Sequence, residues 1–262
     1  MIDTGLLNWT LSQFLCLVSI MIRVVPLIFF MPVIGSPSVP SQIKVLLSLM
    51  IALVLVPVVL VSPADLPESA PGLLLFVLTE ICFGALLAVL ARLVFASFQI
   101  AGQMVGVQMG MGMAGVMDPR FGVQVSLVGQ FWNLIAILIF LAMNGHHIFI
   151  KTLIESFVWV KPGTLHLTQA TYNGMMQGAA QMFVIAVKIM APASAAVFFS
   201  HVAMGIIAKT VPQIPILIVG MPLNIGVGLI FVGLSLGYFL PLMMNYFEQL
   251  GRDLPRMAAG MG

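Results

Sequence analysis

The sequence predicts an all-α membrane protein whose helices are interrupted and sheltered by other protein, and three observations carry that prediction. Hydrophobic residues make up 61% of the 262 and charged residues only 7%. A water-facing domain carries about 25% charged residues, so this surface cannot be covered for water. Apolar stretches of the roughly 20 residues needed for a membrane span recur along the chain. Proline and glycine interrupt several of these stretches. Broken backbone at membrane depth is tolerated only where protein or water covers it, so the chain is expected to be wrapped mostly by neighbours.

Taken in order, the apolar segments run from Leu11 to Ile34, Val45 to Val61, Leu73 to Met117, Val123 to Ile150, Met175 to Ala208 and Ile214 to Phe247. Pro26 and Pro32 are expected to break the first, Pro192 the fifth, and Pro215, Pro222 and Pro241 the last. The third is about twice the length of a span. It reads either as two spans or as one span with a re-entrant piece. Polar breaks fall at Gly35 to Lys44, Ser62 to Gly72, Asp118 to Gly122, Lys151 to Asn173 and Lys209 to Gln213. The longest of them, Lys151 to Asn173, is the best internal boundary. It divides an N-terminal part, residues 1–174, from a C-terminal helical hairpin, residues 175–262. No internal repeat is evident. The positive-inside rule fixes no orientation, because Lys151, Lys161, Arg252 and Arg256 are balanced by Lys44, Arg120 and Lys209 on the other side.

The net charge of +2 with no basic run gives no reason to expect nucleic acid as a partner. No Lys or Arg precedes Arg23, so the N-terminus does not read as a cleaved signal peptide. Cys16 and Cys82 both lie in apolar stretches and read as small buried hydrophobes rather than a disulfide or metal pair.

Four charges, Arg23, Glu80, Arg92 and Lys188, lie inside the hydrophobic segments. Such charges are costly and face a partner, a cavity or a bundle interior. Glu80 and Arg92 are about 18 Å apart along one helix and cannot pair there. Each is expected to find a partner elsewhere, on another helix or another subunit. A proton pathway needs more than the single in-span carboxylate at Glu80.

The chemistry-bearing residues do not assemble into a catalytic motif. Asn144-Gly145-His146-His147 has the makings of a helix end. Adjacent histidines point to different sides of a helix, and no carboxylate or cysteine stands at ligand spacing. Ser194, Ser200 and His201 form no nucleophile motif. No enzyme activity, cofactor or metal is expected.

The most unusual stretch is GQMVGVQMGMGMAGVMDP, from Gly102 to Pro119. Gly102, Gly106, Gly110 and Ala114 recur every fourth residue, which lets a neighbouring backbone approach a helix closely. Met104, Met109, Met111, Met113 and Met117 supply long, adaptable side chains. Gly110, Gly112 and Gly115 each cost about 1 kcal/mol of helix propensity relative to alanine. Asp118-Pro119 closes the segment, because the residue before proline is pushed out of the helical region. The spacing fits both an ordinary helix with a glycine-rich end and a soft, apolar seal within a pore.

Five pieces in this order resemble the flagellar export-gate protein FliR family and its counterparts in virulence type III secretion. They are PVIGSPSVPSQIK (Pro32 to Lys44), Glu80-x-x-x-Gly84, the Ala101 to Pro119 segment, FLAMNGHH (Phe140 to His147) and VPQIPILIVGMPLNIGVGL (Val211 to Leu229). They span nearly the whole chain, and only the tail from Arg252 to Gly262 has no counterpart.

The resemblance implies one subunit of a helical, cone-like export-gate channel in the bacterial inner membrane at the flagellar basal body. It implies FliP-like and FliQ-like subunits, FlhB-like and FlhA-like export proteins and unfolded protein cargo as partners. It further implies that residues 1–174 look FliP-like and 175–262 FliQ-like, and that a plug loop falls at about 106–122. On that basis Gly106, Met109, Gly110, Met111, Gly112, Met113, Gly115, Met117, Asp118 and Pro119 form the plug. Arg23, Glu80, Arg92, Lys188, Gly226 and Gly228 are the expected subunit contacts. Glycines at 226, 228, 233 and 237 suit close helix contact. Two rivals remain at this point: a secondary transporter with discontinuous helices and a membrane enzyme using His146 and His147.

Overall fold

A computed structural model of the chain describes residues 4–59, 67, 69–111, 126–213 and 215–261. Over these residues the protein is helical, with no strand. The helices are α1 (Thr4–Phe30), α2 (Ser41–Leu55), α3 (Ala70–Gln108), α4 (Leu127–Ala142), α5 (Gly145–Trp159), α6 (Gln169–Thr210) and α7 (Ile216–Ala259). Four of them are long and apolar enough to cross a membrane, and α4 with α5 makes a fifth if that broken pair is one span.

The elements follow the apolar segments, with two corrections. Over its described helical part, as far as Gln108, the segment from Leu73 is not two spans. It is one helix of 39 residues, about 58 Å long at 1.5 Å per residue. Between Leu73 and Ala101 it contains a single glycine and no proline, so nothing interrupts it. Nor do four of the in-span prolines end their helices: α1 passes through Pro26, α6 through Pro192, and α7 through Pro222 and Pro241, whereas Pro32 and Pro215 do lie just outside α1 and α7. A proline removes one N–H, and the remaining bonds of a long apolar helix are enough to carry it across. The fourth segment does break, at Asn144, whose φ of 54° is left-handed. Asparagine tolerates that conformation and starts α5 there.

The chain forms two compact units. One takes Met1–Arg92, Asn144–Gly178 and Glu248–Gly262; the other takes Leu93–Met143 and Ala179–Phe247. Each draws on both sides of the boundary at Gly174. In the first unit, α1, α3 and α5 bury Ile20, Val24, Leu27, Phe83, Leu87, Phe149 and Leu153. The C-terminal tail belongs to this core, with Leu254, Ala258 and Met261 fully buried. Thr168 Oγ1 donates to the Gly260 carbonyl at 3.0 Å and the His166 N–H to the Met261 carbonyl at 3.0 Å. Lys44 is buried too, donating to the carbonyls of Gly35 and Ser36 in the turn after α1. Cys16 is buried as expected, whereas Cys82 is exposed, and both are free thiols.

The second unit is centred on aromatic rings from α3, α4 and α7. Phe95, Phe98, Phe140, Phe239 and Phe247 meet edge to face or tilted, with centroids 5.4–6.3 Å apart, and Trp132 stacks on Phe239 at 5.8 Å. In this unit α6 and α7 form an antiparallel hairpin, joined through Ser200–Asn224 and Lys188–Tyr246 hydrogen bonds. Helices α3 and α4 touch backbone to backbone: a β-carbon on Gly102 would lie 2.2 Å from the Gly129 α-carbon. Ser126 fastens this crossing, capping α4 through the Gly129 N–H and donating to the Gly102 carbonyl at 2.8 Å.

Replacing Gly102 with valine is therefore expected to destabilise the detergent-purified protein by about 1–3 kcal/mol, the range for overfilling a tight contact. Gly205→Val, at a position with nothing within 4 Å, is the control and should shift the unfolding midpoint far less.

Candidate functional site

The Gly/Met segment is described as far as Met111, so Gly106, Met109, Gly110 and Met111 are placed. Gly112, Met113, Gly115, Met117, Asp118 and Pro119 lie outside the described residues. What is visible is the root of the segment, and it is firmly built. The Met111 N–H bonds the Gly106 carbonyl and the Gly110 N–H bonds the Val107 carbonyl, both at 3.0 Å. Gly110 has φ +83°. This is a Schellman stop, in which a left-handed glycine satisfies the last carbonyls of the helix. Gly106 lies against Ser126 Oγ, which leaves no room there for a side chain. Met109 is fully buried. A β-carbon on Gly228 of α7 would lie 2.2 Å from its terminal methyl and 2.7 Å from its Cγ. The methionine thus occupies the space that the glycine leaves on α7.

Beside this root is a cavity of about 480 Å³ lined by Gln108, Met109, His201, Met204, Met221 and Asn224, among others. Its methionines and glycines make a largely apolar wall. Asn224 is held by Ser200, whose hydroxyl lies 2.7 Å from its Oδ1.

The charged residues behave in two ways. Arg23 and Glu80 find each other: Nε lies 2.6 Å from Oε2 and Nη2 3.0 Å from Oε1, with the side chains 0% and 2% exposed. Three further groups complete the cluster. Arg23 Nη1 donates to Ser156 Oγ and Nη2 to the Val160 carbonyl, while the Gly163 N–H donates to Glu80 Oε1 at 2.8 Å. The guanidinium lies 4.5 Å from the Phe83 ring centroid and 4.2 Å from that of Phe157. Gly84, one turn beyond Glu80, faces the same neighbour, since a β-carbon there would meet the Arg23 carbonyl. Arg23 and Glu80 thus find their expected partners on another helix of this chain, in each other. Gly228 is likewise occupied internally, by Met109.

Arg92 and Lys188 are exposed, and Lys188 Nζ donates to Tyr246 Oη at 3.2 Å. Gly226 faces open space. His146 and His147 lie against each other in the first turn of α5, ring centroids 4.2 Å apart. Among the described residues no three His, Cys, Asp or Glu side chains gather to hold a metal. Ser126, Ser156, Phe157 and Gly163 escape a reading of the sequence alone, because each acts on a residue more than 20 positions away.

Comparison with known proteins adds the context. The family described as bacterial export proteins, family 1, matches residues 14–250. The chain is 29% identical over 267 residues to the flagellar biosynthetic protein FliR of Bacillus subtilis (strain 168), covering 98% of this chain and 99% of that protein. It is 27% identical to the FliR of Pectobacterium carotovorum subsp. carotovorum, covering 94% and 90%. To the FliR of Escherichia coli (strain K12) it is 25% identical, covering 88% and 87%.

The buried pair makes a clear prediction. Glu80→Leu leaves the arginine buried without its counter-ion and is expected to destabilise the detergent-purified protein by about 3–5 kcal/mol. Combining it with Arg23→Met should restore most of that loss, read as the unfolding midpoint in a denaturing-detergent titration. A double variant as unstable as the single one would show that the two charges are not coupled.

Proposed function

The chain belongs to the bacterial export proteins, family 1, and from that premise we propose that it is a membrane-embedded subunit of the flagellar type III export gate. In this reading it helps to form and seal the channel through which unfolded substrates cross the inner membrane. Its partners are FliP-like and FliQ-like subunits, with FlhB-like and FlhA-like export proteins adjoining. The observation that carries the reading is the family match over residues 14–250, supported by FliR relatives aligned over nearly their whole length.

The physical features agree. Helices α3, α6 and α7 hold 39, 42 and 44 residues, about 58–66 Å each, roughly twice the ~30 Å hydrocarbon core. Such helices tilt steeply or project from the bilayer, as members of a tapered tube would. Large apolar side chains on the hairpin, including Phe198, Phe199, Ile206, Ile230 and Leu234, are exposed and await lipid or neighbouring subunits. An apolar, methionine-rich constriction excludes water and repacks around irregular cargo. The division into a FliP-like part, 1–174, and a FliQ-like hairpin, 175–262, belongs to this proposal.

A secondary transporter is the weaker reading. It needs in-span carboxylates free to take up coupling ions or protons. Among the described residues the one buried carboxylate is Glu80, and both of its oxygens are engaged by Arg23.

The seal is tested by replacing residues 112–122 with a Gly/Ser stretch of equal length. The complex is expected to assemble with its normal partners, while cells carrying it show an increased leak of small ions across the inner membrane. An assembled gate that stays ion-tight would remove the plug from the proposal.

A further inference from the structure

We infer that Lys188 and Tyr246 bind the phosphate of an anionic phospholipid, at the level where the α6–α7 hairpin leaves the hydrocarbon core of the membrane. The inference does not depend on the export reading, and it gives Lys188 a lipid partner in place of another subunit.

The spacing of charge along the hairpin sets that level. Between Lys188 and Lys209, α6 carries no Asp, Glu, Lys or Arg. The two lysines stand 21 positions apart, about 32 Å at 1.5 Å per residue, against a hydrocarbon core of ~30 Å. On α7 the stretch from Ile216 to Met244 is also without charge. Polar residues return on one side of the Lys188–Tyr246 contact in both helices. Asn173, Gln177 and Gln181 precede Lys188, while Glu248, Arg252 and Asp253 follow Tyr246. The apolar residues from Met182 to Val187 then fall in the headgroup layer, which brings the whole bilayer to ~40–45 Å. Lysine and tyrosine suit this depth, because each joins an apolar stem to a polar tip. Side chains on a helix lean towards its N-terminus. That lean carries the Lys188 ammonium out of the core and towards the polar end of the hairpin.

The lysine has no anion of its own. Among the described residues the second compact unit contains no Asp or Glu. Glu248 comes just after it in the chain, two positions past Tyr246, and so points about 200° away around α7. Lys188 is exposed, and its Nζ donates to Tyr246 Oη at 3.2 Å while lying 5.9 Å from the ring centroid. This leaves two ammonium N–H groups and the Tyr246 O–H able to donate. Three donors and one positive charge thus meet at headgroup depth on an exposed apolar surface, where Phe183, Val184 and Val187 also face outward. A lipid phosphate supplies the missing charge and acceptors in one group.

The depth and the ligand are tested separately, on the full chain expressed with its native membrane partners. Nitroxide labels are placed singly at positions 184, 198 and 206, with Cys16 and Cys82 replaced by alanine. Accessibility to oxygen against a nickel chelate should make position 198 the deepest, since it lies midway between the two lysines. A label at 184 as deep as the one at 198 would overturn the level.

Lipid binding is read by native mass spectrometry, titrating the detergent-released complex with phosphatidylglycerol. Lys188→Gln is expected to weaken retention about fivefold, the effect of one lysine beside an anionic surface. Lys188→Arg should keep most of it, and Tyr246→Phe should lose less than Lys188→Gln. Lys151→Gln makes the same change of charge at an exposed lysine elsewhere and should leave retention unaltered. Inorganic phosphate should not compete. Undiminished retention in Lys188→Gln, an equal loss in Lys151→Gln, or displacement by inorganic phosphate would each overturn the lipid site.

Discussion

One ion pair in an apolar interior governs how the first compact unit must be built. A guanidinium and a carboxylate removed from water each carry a desolvation penalty of several kcal/mol, repaid only by close geometry and by further hydrogen bonds. Arg23 and Glu80 meet both conditions. They bond side-on through two N–H···O contacts, and Ser156, Val160 and Gly163 satisfy the remaining directions. Two phenyl rings then cover the arginine, adding cation–π attraction where no water competes. The groups come from α1, α3, α5 and the chain just after α5. A shift of any one element would strand a charge, so the pair fixes the register of three helices that otherwise touch through interchangeable apolar side chains.

The second unit reaches the same end without charge. Its order comes from close contact at glycine and from aromatic rings. Gly102 against Gly129 brings two backbones together, and Ser126 turns that proximity into hydrogen bonds. The ring cluster around Phe98 and Phe239 gives the crossing a shape that featureless aliphatic side chains would not. In a solvent as apolar as the core itself, shape and hydrogen bonding take over from the hydrophobic effect in choosing partners.

These two devices serve a protein that keeps much of its apolar surface outward. The share buried is only 33% in the most apolar stretch of α6 and 22% in that of α7. Such a chain suits apolar surroundings rather than water. Rigidity is concentrated where movement would be harmful: at the ion pair, at the α3–α4 crossing and at the root of the Gly/Met segment. That segment starts from a helix end with every hydrogen bond in place. The structure attaches it firmly, through backbone geometry instead of charge.

Composition and apolar length alone determined the class of this protein, because too few polar residues exist to cover it for water. The helices fall where the apolar segments lie, and Asn144 marks a break because the turn there is a local property of a residue that accepts positive φ. The oddity of the Gly/Met stretch was equally visible, since glycine and methionine act through their own flexibility. What the tertiary structure decided were the pairings. Arg23 and Glu80 lie 57 positions apart, and Met109 and Gly228 lie 119 apart. No local pattern says which charge answers which, or which glycine receives which knob. The prolines carried a similar lesson: whether a missing N–H breaks a helix depends on what surrounds it, and the surroundings exist only once the chain has folded.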